Sequence, residues 1–155
     1  MLNFMTGDEI VDRTAKMISA KKQQAAFSLD LTVREIYRVN RGGALDFGGS
    51  EFQEASATLL KPEKKSPKEP YGWWRLGPGV YLMKFNEKID LQNQGLVIVL
   101  PHSRLLASGA SHSPVTVEVL DEDVQVPISI GLEGLSIKEN ARVSKAMVLA
   151  AGADD

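Results

Sequence analysis

A chain of 155 residues, with 43% hydrophobic and 25% charged residues, is sized for one folded domain that buries roughly 70% of the surface its unfolded form exposes. A net charge of −2 offers no basic footprint for nucleic acid or an anionic membrane, and the lack of cysteine excludes disulfides, thiolate metal sites and cysteine nucleophiles. The opening MLNFMTGDEI has neither a basic start nor a long apolar run, and no stretch approaches the roughly 20 apolar residues of a membrane helix, so the expectation is a cytoplasmic protein without signal peptide or membrane span.

In chain order, Thr6-Gly7-Asp8-Glu9 has the form of a capping box, with Thr6 as cap and Glu9 reaching back. A ragged apolar face follows, and the pattern predicts a short helix from about Asp8 to Ser19. From Phe27 the period becomes two: Phe27, Leu29, Leu31 and Val33 alternate with Ser28, Asp30, Thr32 and Arg34, as in a half-buried strand. Its phase slips at Arg34-Glu35, where Ile36 restarts the apolar series, which predicts a bulge. Gly42-Gly43 and Gly48-Gly49 punctuate a loop, and Phe52–Leu60 reads as another strand. Residues 61–70 carry four lysines, two glutamates and three prolines, the composition of a solvated, mobile loop; the glutamates weigh against a phosphate-binding role.

Adjacent tryptophans on a strand point to opposite faces, so one of Trp73 and Trp74 joins the core while the other lines a cleft or a subunit contact. The stretch from Pro78 to Gly109 is the hub of the chain. Val80–Phe85 and Leu96–Leu100 are strand-like, and the unbroken apolar Leu-Val-Ile-Val-Leu suits a strand buried on both faces. Pro101 stops it, and His102-Ser103-Arg104 follows at once, where polar groups beyond a rigid strand tend to carry binding chemistry. Val115–Leu120, Val124–Ile130 and Ala141–Leu149 are further strands, and residues 150–155 read as a frayed tail. Eight or more short strands predict an all-β barrel or distorted sandwich with a short N-terminal helix, one domain over residues 1–155.

Residue types alone restrict the chemistry. The two histidines, His102 and His112, fall in loop-like positions where a solvated ring is the expectation, and a histidine triad for a metal is not available. No Walker loop, strand-borne GxGxxG or HExxH occurs. Asp30 on the first strand and Asp121-Glu122-Asp123 at a strand junction are the acidic candidates, the latter reading as a charged turn between Leu120 and Val124.

Order and spacing add a resemblance. Phe27-Ser28-Leu29-Asp30-Leu31 resembles the first motif of the dUTPase and dCTP deaminase superfamily, and Pro78-Gly79-Val80-Tyr81-Leu82 with Glu87 resembles the approach to the second. Pro101 to Gly109 lies where the family has Arg-Ser-Ser-Leu-Ala-Arg-x-Gly; Val119-Leu120-Asp121 is similar to the third motif and Ala141-Arg142-Val143 to the fourth. There are departures. His102 stands for the family arginine and Arg104 for its second serine; Asp123, Val124 and Val126 replace glycine, an aromatic residue and glycine; Asn140 replaces a glycine and Lys145 a glutamine. The glycine-rich closing arm of dUTPases and the tail of the deaminases have no counterpart in the sequence.

The resemblance implies a β-clip fold, a distorted barrel, assembled as a homotrimer with sites shared between subunits. It implies hydrolysis of dUTP to dUMP and diphosphate, with Mg²⁺ carried by the triphosphate. Asp121 carries over as the base that activates water, and Asp30 as an acid that organises the site. Ser103, Arg104, Arg142 and Lys145 would bind the nucleotide, arginine because its planar fork meets phosphate oxygens two at a time. Two alternatives stand beside this reading: a non-catalytic trimeric relative, and a dCTP deaminase, in which Glu133 would serve as the glutamate if the strand after the third motif slipped by one step.

Overall fold

The computed structural model of the chain describes residues 1–152. After strand β1 (Leu2–Phe4), Thr6 and Glu9 form the reciprocal capping box that opens helix α1 (Gly7–Asp12). The helix expected to reach Ser19 stops there. Residues of β2 (Thr14–Ala15) find a strand to pair with, Lys16 adopts φ 67°, and Ser19 caps a separate one-turn helix, α2 (Ala20–Gln23). The alternating strand is present as β3 (Leu29–Arg41), although Phe27 stays outside it and exposed. Of the expected 52–60 strand only β4 (Ser56–Leu59) forms.

In the 61–70 segment Glu63 bridges to Trp73 through the backbone, and β5 (Trp73–Leu76) follows. The tryptophans divide as their alternation requires: Trp74 is buried and Trp73 lines a cleft. The hub strands are β6 (Gly79–Phe85) and β8 (Gly95–Pro101), with the short β7 (Lys88–Asp90) between them. They do not pair with each other. Nor is β8 buried on both faces: Val97 and Val99 are fully covered while Leu96 is 40% exposed, so its run of apolar residues still alternates.

Helix α3 (Ser103–Ala107) occupies what read as a loop, then β9 (Ala110–Ser111), β10 (Val115–Val117), β11 (Val119–Leu120), β12 (Val126–Ile130) and β13 (Leu135–Lys138). Strand β14 (Arg142–Ala151) closes the described chain, and its backbone bonds to β1 run through Leu149, Ala150 and Ala151. The expected fray at 150–155 is therefore ordered strand at Ala150 and Ala151; residues 153–155 lie outside the described residues.

The architecture is all-β and antiparallel. Nine strands form one curled sheet along the path β10-β8-β14-β3-β6-β12-β9, with β1 added to β14 and β4 to β3; β11-β7-β2 and β13-β5 are small companions. Alternating strand faces make the core: Tyr81, Met83 and Phe85 on β6, Val126, Ile128 and Ile130 on β12, and Ala146, Val148 and Ala150 on β14, joined by Leu29, Leu31 and Val33 on β3 and Val97 and Val99 on β8. Two bulges interrupt the central ladders. On β3, Val33 faces Phe85 and Glu35 faces Lys84, leaving Arg34 as the extra residue expected from the phase slip. On β14, Arg142 faces Thr32 and Ser144 faces Leu31, so Val143 is extra. The bulges flank Thr32 and Val33 and set the positions of two arginines.

Candidate functional site

The start of β3, the bulged start of β14 and the entry to α3 meet at Asp30. Its Oδ2 lies 3.2 Å from His102 Nε2 and 3.3 Å from Arg142 Nη1, and Arg142 Nη1 also donates to the Lys22 carbonyl at 3.1 Å. His102 is not a solvated loop residue. Its Nδ1 accepts the Arg104 backbone N–H at 3.0 Å, so His102 is the N-cap of α3. With Nδ1 an acceptor, the ring proton sits on Nε2 and points at Asp30. The imidazole thus does the work of a hydrogen-bonding rivet where the family has an arginine.

Behind Asp30 lies a buried polar network. Gln23 Nε2 donates to the Asp30 carbonyl at 2.8 Å and to Glu87 Oε2 at 2.9 Å, while Gln23 Oε1 accepts the Ile18 and Ser19 N–H groups. Glu87, fully buried, also accepts the Thr32 N–H at 2.7 Å and the Thr32 hydroxyl at 2.5 Å. Burial pushes the Glu87 carboxyl above its ordinary range, and the bonds from Thr32 and Gln23 hold it back. Asn86 ties the network to the turn before β14 by donating to Thr32 Oγ1 and to Asn140 Oδ1, both at 2.9 Å. The backbone that presents Asp30 is therefore fixed from both sides.

A cleft of about 420 Å³ opens beside this cluster, and Trp73, Arg104, Asn140 and Arg142 are among the residues that line it. Two arginines, a half-buried indole and an amide suit an anionic, partly aromatic ligand. The indole already carries cations: Lys65 Nζ lies 4.2 Å and Lys138 Nζ 5.6 Å from the Trp73 ring centroid.

Of the residues expected at a site, the structure joins Asp30 to Arg142 and brings Arg104 and Arg142 to one cleft. Ser103 is exposed on the first turn of α3, and Lys145 stands opposite Asp30 in the β14–β3 register. Asp121 is apart from them. It sits half-buried in the turn after β11, its Oδ1 accepting the Asp123 N–H at 2.9 Å, and no hydrogen bond or ion pair among the described residues links it to Asp30, Ser103 or Arg142. Glu133 is not on a strand: β12 ends at Ile130, and Glu133 is exposed in the Gly131–Gly134 turn, so a one-step slip of strand pairing does not reach it. No group of three or more His, Asp or Glu among the described residues is arranged to hold a metal.

Sequence reasoning passed over His102, Gln23 and His112. The last is buried, with Nδ1–H donating to the Ser113 carbonyl and Nε2 accepting from Ser144 Oγ, each at 2.8 Å. The position of His102 two residues before an amide it could cap was a usable signal. For Gln23 and His112 there was none.

No family profile matches the chain. It is 25% identical over 128 residues to a probable deoxyuridine 5'-triphosphate nucleotidohydrolase of Methanosarcina barkeri, covering 81% of this chain and 71% of that one. Proteins of the same description from Methanosarcina mazei (28% over 117 residues, 74% and 65%) and Archaeoglobus fulgidus (30% over 113 residues, 69% and 62%) are also similar. The chain thus spans about two thirds of the length of these curated relatives. The crystal structure of 2'-deoxycytidine 5'-triphosphate deaminase from Agrobacterium tumefaciens superposes with a TM-score of 0.66 at 14% identity, over 97% of this chain and 49% of that chain. Fold and topology define an all-β chain of the dUTPase-like class. In sequence and in fold the chain is similar to members of the superfamily of the dUTPases and dCTP deaminases.

Proposed function

We propose that this chain is a dUTPase-like nucleotidohydrolase that cleaves dUTP to dUMP and diphosphate, with Mg²⁺ arriving on the triphosphate as part of the substrate. The observation that carries the reading is the convergence of the first-, second- and fourth-motif positions: Asp30, His102 and Arg142 are bonded together, beside a cleft that Arg104 shares. In this reading Arg104 and Arg142 grip phosphate oxygens and Asp30 holds Arg142 in place. Asp121 deprotonates the water that attacks the α-phosphate, and since no bond joins it to that cluster within one chain, it serves the cluster of a neighbouring subunit in a homotrimer.

A non-catalytic trimeric relative is the second reading, favoured by one feature: both His102 and Arg142 are already spent on Asp30. Deaminase activity is third, with Glu133 in an exposed turn.

The test is product separation after incubation with dUTP, UTP and dCTP plus Mg²⁺, alongside light scattering. The expected result is slow, Mg²⁺-dependent release of dUMP, with UTP also accepted because Val124 is smaller than the aromatic residue the family uses to exclude a 2′-hydroxyl. The mass should be that of three chains rather than the 16.9 kDa of one. Asp121→Asn should abolish turnover while preserving the fold. Unchanged turnover removes Asp121 as the base, and no turnover by the parent chain leaves the non-catalytic reading.

A further inference from the structure

The cleft where the β2–β7–β11 sheet meets β3 encloses about 450 Å³ and is lined by Lys16, Arg34, Asn86, Lys88 and Glu122. Apart from Asn86, which reaches into the network behind Asp30, these residues lie outside the nucleotide cluster described above. Three cations face one carboxylate in a chain whose overall charge is −2. Lys88 Nζ pairs with Glu122 and Arg34 pairs loosely with Glu35, so positive charge is still in excess at the cleft. The Arg34–Glu35 pair is 3.8 Å at Nε, too long for a hydrogen bond, which leaves the guanidinium donors for a ligand. Its side chain is 48% exposed and accessible to a ligand.

Backbone irregularities place both Arg34 and Lys16 at the cleft. Arg34 is the extra residue of the β3 bulge, the device that re-aims a side chain out of the ladder. Lys16 holds φ 67°, a conformation that glycine adopts without penalty and an L side chain does not. Asn86 forms a rigid boundary, because its amide is locked to Thr32 and Asn140.

We propose that this cleft binds a phosphate-type oxyanion of two or more negative charges, with Arg34 engaging two oxygens and Lys16 and Lys88 neutralising the remaining charge. The chemistry is shared by free diphosphate and by the phosphate tail of a nucleotide. The proposal does not rest on the nucleotidohydrolase reading, and its readout is binding at named residues rather than turnover.

The experiment is amide chemical-shift titration at low ionic strength with sodium diphosphate and, in parallel, α,β-imido dUTP. The amides of Lys16, Arg34, Asn86 and Lys88 are expected to move together with one dissociation constant. Movement with diphosphate alone identifies a free-phosphate site, and movement with both ligands identifies a nucleotide tail. Lys16→Gly should weaken the site about tenfold, the loss of one charge-assisted bond, and Arg34→Gln by more, since it removes contacts to two oxygens. Lys16→Gly should keep or raise the melting temperature, since it relieves the backbone, and this separates loss of binding from loss of fold. Stationary amides at millimolar diphosphate, or wild-type affinity in both variants, would overturn the proposal.

Discussion

Thr32→Val probes the network that holds Asp30 without touching Asp30 itself. Valine keeps the shape of threonine and removes one hydroxyl, which donates to Glu87 Oε2 at 2.5 Å and accepts from Asn86 Nδ2 at 2.9 Å. Asn86 retains Asn140 Oδ1, so the loss falls mainly on a buried carboxylate, where a hydrogen bond contributes about 1.5–3 kcal/mol. At 2–4 °C per kcal/mol for a chain of this size, the melting temperature should drop by about 3–12 °C. The pH dependence sharpens the test. Burial raises the Glu87 carboxyl above its ordinary 4.5, so the folded chain keeps a proton that the unfolded chain releases. That contribution is complete below 4.5 and is lost as pH rises through the folded value. The Thr32 bonds oppose the rise, and without the hydroxyl the carboxyl climbs further. The penalty of Thr32→Val should therefore be larger at about pH 8 than at about pH 5, read from urea midpoints by tryptophan fluorescence. A loss under about 0.5 kcal/mol at the higher pH, or a penalty that grows toward acid, would refute the reasoning.

Two further outcomes follow from the histidines. Burial lowers the His112 imidazole below its ordinary 6.5, so folding excludes a proton that the unfolded chain binds; stability should fall as pH drops below 6.5, and His112→Gln should flatten that limb of the urea-midpoint profile. His102→Ala removes the α3 cap and one partner of Asp30, and should cost about 1 kcal/mol by denaturant melt, with His102→Asn recovering most of it as an alternative cap.

Much of the framework was legible because it obeys local rules. The alternation from Leu29 to Val33, the slip at Arg34 and the Thr6–Glu9 box each state their structure in a few residues. The Asp30–Arg142 contact was not legible in that way: 112 positions separate the two, and only the β14–β3 register brings them together. The helix expected to run to Ser19 failed because Thr14 and Ala15 had a partner strand 73 residues on, which no local pattern announces. His102 and His112 read as solvated for a related reason. Burial of a polar ring depends on which distant hydroxyl or carboxylate meets it, here Ser144 and Asp30.

The paired bulges constrain how this chain can change length. Each is a single supernumerary residue, and strand side chains have a parity of two. Deleting Arg34 would let β3 run unbroken along β6 with Glu35 still opposite Lys84 and Ile36 opposite Met83, so Asp30 and the core face would keep their phase and only the re-aimed arginine would be lost. Deleting Val143 would likewise leave Ser144 opposite Leu31, at the loss of one buried side chain. A single-residue loss is thus absorbed at either bulge but reverses a face elsewhere in these two ladders, while the tip of the 42–55 loop, beyond the Ala44–Gln53 bridge and with Phe47 wholly exposed, can change length without reversing any face.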